Sequence, residues 1–128
     1  MSAQREDYLI RLITLAAAAL RRLRERLAGG ASAGEVVREA QAAHGELLGP
    51  DAAMLRALDP ATAARLLGDA RRAALWGELL LVEAAAHRQL GHTERAAALE
   101  QRATALLRAS DPAWPAAQPN AAADRDTR

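Results

Sequence analysis

Apolar residues recur at alternating spacings of four and three over residues 5–28, and this period constrains the fold more than any other feature. One stripe runs from Leu9 to Leu27, and a second runs beside it from Tyr8 to Ala19. Two adjacent stripes at this spacing make one wide apolar face on a helix of about six turns. The same period returns over residues 70–90 and 94–109. The spacing therefore predicts at least three amphipathic helices.

The composition agrees with this prediction. Alanine and leucine account for 35 and 20 of the 128 residues, against three valines, two isoleucines and no phenylalanine. Alanine and leucine are strong helix formers, whereas strands are enriched in β-branched and aromatic residues. A β-sandwich or β-barrel is excluded on this ground, and the predicted fold class is all-α.

Turn and capping signals divide the chain into two helical hairpins with short helices between them. The predicted helices cover residues 5–28, 33–48, 51–58, 60–67, 70–90 and 94–109. Glycines or prolines stand at most of their ends. The short loops predict that each hairpin is antiparallel, and the whole is expected to form a small right-handed helical bundle. The predicted N-caps are Ser32, Asp59, Asp69 and Thr93.

Residues 1–109 are predicted to form the single helical domain, and residues 110–128 an irregular tail rich in proline and alanine. Three prolines within eight positions rule out a regular helix in this tail. Its one bulky side chain is Trp114. We expect this ring to fold back onto the domain, with insertion into the groove of a partner protein as the alternative.

Several functional classes are excluded or disfavoured by the residues present. The chain has no cysteine and a net charge of only +1, so it has neither a thiolate nucleophile nor a cysteine-based zinc site. Its longest apolar run, residues 12–20, is far shorter than the roughly 20 residues of a membrane span. The few serines stand at a terminus or at helix caps. We therefore expect a cytoplasmic protein that is not an enzyme, with no cofactor and no membrane partner.

The segment from Leu80 to Ala103 resembles one tetratricopeptide repeat, a 34-residue helix–turn–helix unit. With Gly91 on the turn glycine, small residues fall where the two helices of a repeat touch, and His87 takes an aromatic position. Two acidic residues stand where the repeat has apolar ones. The small residues are Ala84, Ala96 and Ala103, and the acidic residues are Glu83 and Glu100.

The whole chain, opening with Glu6 to Ile13, also resembles a group of small, uncharacterised bacterial helical proteins. The tetratricopeptide resemblance implies protein–protein binding on the face of the first helix of the repeat. The partner would be another protein or a second copy in a homodimer, and the wide face of the first helix of the chain favours self-association. Carried over by position, and with Trp114 added, the partner-binding residues are Glu78, Leu81, Ala85, Arg88, Gln89 and Trp114.

Two alternatives remain open at this point. Glu83, His87 and His92 could cluster as ligands of a metal ion, so that the bundle would bind a metal or a small ligand. The competing interpretation is a one-turn contact between Glu83 and His87 on the helix surface, with His92 in solvent. A separate histidine, His44, lies on the apolar face of the second helix and is predicted to be a partly buried, hydrogen-bonded core residue.

The second alternative is weak nucleic-acid binding through the basic segment Arg21–Arg26. Four arginines in six positions could attract phosphate. Glu25 interrupts the run, the chain as a whole is nearly neutral, and aromatic stacking partners are scarce. Solvation and favourable interaction with the end of the helix dipole explain these arginines better.

Overall fold

The structure, a computed structural model, describes residues 2–111, and this part of the chain is helical with no strand. A single 3-10 turn, Gly49–Asp51, joins two of the helices. The predicted helices are confirmed, with ends within three residues of those expected. They are α1 (Ser2–Ala28), α2 (Ala33–Leu48), α3 (Ala52–Ala57), α4 (Pro60–Leu67), α5 (Ala70–Gln89) and α6 (Thr93–Ser110).

Helix α5 is the centre of the fold, because it contacts α1, α2, α4 and α6. Its Trp76 and Leu79 are almost fully buried, together with Leu23 of α1 and Leu106 of α6. Burial of each such side chain contributes about 1.5–3 kcal/mol before the entropy of ordering is subtracted. One core that spans α1, α2, α5 and α6 therefore holds the chain together.

Small residues allow α5 and α6 to approach closely. Ala84, Ala96 and Ala103 are completely buried, as expected from their positions in the repeat-like pattern. Gly77 belongs with them, although the sequence pattern did not single it out. A Cβ atom placed on Gly77 would lie 2.9 Å from Cγ of Leu107 and 3.2 Å from the carbonyl oxygen of Ala103. Only glycine fits this crossing without a shift of α6.

The N-caps are confirmed at two of four positions. The Asp59 and Asp69 side chains accept hydrogen bonds from backbone N–H groups of α4 and α5. Ser32 occupies the N-cap position of α2, but its side chain makes no capping hydrogen bond. The prediction for Thr93 is wrong: His92 is the N-cap and Thr93 is the first residue of α6, also without a side-chain cap.

The turn before α6 explains this shift. Gly91 adopts a left-handed conformation with φ of 81°, which only glycine adopts at little cost. The N–H of Gly91 donates to the Arg88 carbonyl, and the N–H of His92 donates to the His87 carbonyl. These bonds end α5 so tightly that α6 begins directly after His92.

The predicted boundary between domain and tail falls at the end of α6. Ser110 is still helical, and its hydroxyl donates to the Leu107 carbonyl over 2.9 Å. Trp114 and its proposed docking lie outside the described residues. Across residues 2–111, no helix combines the length and the apolar character needed to cross a membrane.

Candidate functional site

The predicted partner-binding face of α5 is partly covered by α1. Glu78 forms an ion pair with Arg24 of α1. Leu81 and Ala85 line a shallow groove of about 410 Å³, and Leu27 of α1 forms part of its opposite wall. The first helix of the chain therefore occupies part of the surface that a partner would use in a tetratricopeptide repeat.

Two further predicted residues lie at the end of α5. Arg88 forms a two-pronged ion pair with Glu100 of α6, in which its Nε lies 2.9 Å from Oε2. Hydrogen bonding from Arg88 lowers the pKa of Glu100. Gln89 is exposed and borders the same groove as Leu81. Arg88 therefore holds the two helices together at this end.

Helix α1 exposes much of its second apolar stripe, defined here as the α1 stripe: Tyr8, Leu12, Leu15 and Ala19. Tyr8 and Leu15 are 52% and 56% exposed. Beside Leu15 lies the α1–α2 groove, a depression of about 290 Å³ with Ala42 and Ala43 of α2 in its wall. The core-facing stripe, by contrast, buries Leu20 and Leu23.

A buried polar group, the His44–Glu83 network, links α2, α3 and α5. His44 is 5% exposed, as predicted for a core histidine, and Glu83 is 1% exposed. Nη2 of Arg56 donates to Nδ1 of His44 over 2.9 Å, since a guanidinium can only donate. The His44 proton therefore sits on Nε2, which donates to Oε1 of Glu83 over 3.0 Å. Gln41 donates to Oε2 of the same carboxylate over 3.1 Å.

The expected surface contact between Glu83 and His87 is wrong in its location. Glu83 lies in the interior, because α2 packs against its face of α5 and supplies two hydrogen-bond donors to it. Oε2 of Glu83 is 3.7 Å from Nε2 of His87, beyond hydrogen-bond distance. His92 is exposed and its Nδ1 lies 3.0 Å from Nδ1 of His87. No group of three or more His, Cys, Asp or Glu in residues 2–111 could hold a metal ion.

Opposing effects act on the Glu83 carboxyl group. Burial favours its neutral form and would raise its pKa, but the hydrogen bonds from His44 and Gln41 favour the carboxylate. The positive charge of Arg95 acts in the same direction as these hydrogen bonds. The pKa of Glu83 is lowered overall, so the group is an anion at neutral pH.

Next to this network lies the arginine-lined cavity, a pocket of about 620 Å³ between α2, α3, α5 and α6. Four guanidinium groups line it, with Trp76, Leu80 and Leu99 as its apolar wall and Glu83 as its acidic member. The Arg102 guanidinium lies 5.1 Å from the centre of the Trp76 ring and donates to the carbonyls of Leu55 and Leu58. The four arginines are Arg38, Arg56, Arg95 and Arg102.

The basic segment of α1 is divided between two uses. Arg26 is paired with Glu35 and Glu39 of α2, and Arg24 with Glu78 of α5. Arg21 and Arg22 are exposed and make no ion pair within residues 2–111. Half of the predicted phosphate-attracting patch is therefore neutralised by carboxylates of the same chain.

Sequence reasoning missed the His44–Glu83 network and the cavity, although one signal for the network is present. Glu83 stands one turn after Leu79 and next to Val82, on the face of α5 that the apolar residues mark as buried. A carboxylate on such a face needs buried donors, and His44 and Gln41 one turn apart on α2 can supply them. Comparison of the chain with protein-family models, curated proteins and solved structures finds no match.

Proposed function

We propose that this chain is a non-catalytic helical interaction module that associates with a second copy of itself through α1. The exposed α1 stripe carries this proposal. Tyr8 and Leu15 each leave more than half of a large apolar side chain in water, on a helix of 27 residues. A continuous apolar surface of this kind is typical of an interface.

The surface beside the stripe supports a helix as the occupant. The α1–α2 groove is lined mainly by alanines, with Leu12 and Leu15 along one side. Small residues let a second helix approach closely, while a protruding leucine packs between side chains of the facing helix. Leu15 is near the middle of α1, so a two-fold axis there would bring the two Leu15 side chains close to each other's groove.

Charge supports an antiparallel pairing of the two α1 helices. Asp7 and Arg22 flank the same side of the α1 stripe, about 22 Å apart along the helix. Both are exposed, and neither makes an ion pair within residues 2–111. When two copies run in opposite directions, each Asp7 approaches Arg22 of the second copy. A parallel pairing would instead place like charges together.

The finer architecture that we propose is a pair of antiparallel hairpins, the second of them similar to a tetratricopeptide repeat. Contacts between α1 and α2 and between α5 and α6, each across a loop of a few residues, support this arrangement. Stacked repeats need about three units to build a binding groove. Because α1 also covers part of α5, we favour α1 over the α5 face as the principal interface.

Sedimentation velocity of the full chain and of Leu15→Arg tests self-association. We expect a dimer for the native chain and a monomer for the variant, because a buried arginine would face an apolar groove. Leu66→Arg is the matched control, since Leu66 of α4 is 59% exposed and lies away from the stripe. A native chain that is monomeric, or equal dissociation of both variants, would contradict the proposal.

Charge reversal tests the direction of pairing. Asp7→Arg and Arg22→Asp should each weaken the dimer several-fold, because each places two like charges together across the two-fold axis. The double variant should restore native association. If the double variant is weaker than either single one, the antiparallel pairing is wrong even though a dimer forms.

A further inference from the structure

The arginine-lined cavity concentrates positive charge in a chain that is nearly neutral overall. The net charge of the whole sequence is +1, yet four guanidinium groups and a single carboxylate line this one cavity. Like charges gathered at one site repel one another unless something neutralises them. Elsewhere in the structure arginines are paired with acids, as Arg26 is with Glu35 and Glu39.

Two of the four guanidinium groups have their donors available. Arg56 and Arg102 donate to His44 and to the end of α3, respectively, and so have structural roles. The side chains of Arg38 and Arg95 are exposed and make no hydrogen bond or ion pair within residues 2–111. Their donors match the geometry of a carboxylate or phosphate group. Glu83 accepts from His44 and Gln41, so its carboxylate does not engage these two arginines.

The opposite wall of the cavity is apolar and contains one unusual group. Trp76 is 1% exposed, and its indole Nε1 has no hydrogen-bond partner within residues 2–111. Buried indole N–H groups normally find an acceptor. Leu80 and Leu99 complete this wall. A ligand with an apolar or planar portion would contact the wall, while its anionic end would face the arginines.

From these observations we infer that the cavity binds a small organic anion, whose carboxylate or phosphate group is held by Arg38 and Arg95 and whose apolar portion lies against the Trp76 wall. A volume of about 620 Å³ falls within the ordinary range for small-molecule sites. The site is separate from the α1 stripe, and it assigns to the chain a ligand-binding role in addition to self-association.

Isothermal titration calorimetry of the full chain tests this site with three probes of similar size. Benzoate and phenyl phosphate carry the two candidate anionic groups, and benzamide is their neutral counterpart. We expect saturable binding of at least one anion and binding of benzamide that is at least about tenfold weaker, because charge-assisted hydrogen bonds are the stronger ones. The stronger of the two anions identifies the preferred group.

The double variant Arg38→Gln/Arg95→Gln should weaken binding of that anion by about tenfold or more. Both residues are exposed, so the fold should be retained, as circular dichroism would verify. The control Arg71→Gln/Arg108→Gln removes the same charge from two other exposed positions. Binding to neither anion at millimolar concentration, or equal weakening by both double variants, would overturn the inference. Quenching of Trp76 fluorescence in a Trp114→Phe background provides an independent readout of the location.

Discussion

Nε2 of His44 donates a hydrogen bond to Oε1 of Glu83 over 3.0 Å, and both side chains are almost completely excluded from solvent. This bond joins α2 to the central helix α5 through a carboxylate in the interior. Removal of one partner leaves the other unsatisfied, which costs more than the bond itself contributes. The interior of this bundle is therefore specified by a polar pair as well as by apolar packing.

We predict that Glu83→Leu lowers the free energy of unfolding by about 3 kcal/mol, because His44 and Gln41 lose their buried acceptor. Glu83→Gln should cost less, since its amide oxygen can still accept one of these bonds. Urea unfolding followed by circular dichroism measures both changes. Glu25→Gln, at an exposed position of α1, is the control and should change stability by less than about 0.5 kcal/mol.

A double-mutant cycle with His44→Leu separates the hydrogen-bonded pair from general effects of burial. The double variant should be less destabilised than the sum of the two single variants, because no partner is then left unsatisfied. Strictly additive losses would mean that the His44–Glu83 bond contributes no coupling.

Stability should fall as the solution becomes acidic, and Glu83 should contribute to the slope. The pKa of Glu83 in the folded protein is lower than its ordinary value of 4.5, so the unfolded chain takes up this proton first as the pH falls. The stabilisation is therefore complete at pH values above about 5 and is lost as the pH falls below 4.5 towards the folded-state pKa. The pKa values of Asp59 and Asp69 are lowered as well, by hydrogen bonds to the residues that they cap.

Thermal unfolding between pH 3 and pH 7 measures this dependence. Glu83→Gln removes the titrating group, so the melting temperature of the variant should depend less steeply on pH below about 4.5. An identical slope for the variant and the native chain would show that Glu83 does not contribute.

Gly77→Ala should destabilise the protein by about 1–3 kcal/mol, the usual cost of overpacking a core. The added Cβ would lie 2.9 Å from Leu107 and 3.2 Å from a backbone oxygen of α6. Gly34→Ala is the matched control, because Gly34 is also helical and a Cβ there meets nothing closer than 3.9 Å. That variant should be neutral or slightly more stable, since alanine is the better helix former. Equal stabilisation by both substitutions would contradict the close crossing of α5 and α6.

The local signals in the sequence predicted most of the secondary structure. Periodic leucines and capping residues such as Asp59 and Asp69 act within a few positions of the chain, so their effect can be read without the fold. Thr93 failed because the turn at Gly91 ends α5 and leaves His92 to precede α6 directly. The burial of His44 followed from its place on an apolar face.

The sequence by itself determined that the chain is helical, where its helices begin and end, and which face of each helix is apolar. These properties depend on backbone propensity and on the 3.6-residue period, which are local. Only the tertiary structure decided that Glu83 lies in the interior, that Gly77 marks a helix crossing, that α1 leaves Tyr8 and Leu15 exposed, and that four arginines line one cavity. Each of these depends on which helices become neighbours, and contacts between residues distant in the chain are set by the packing of the whole core.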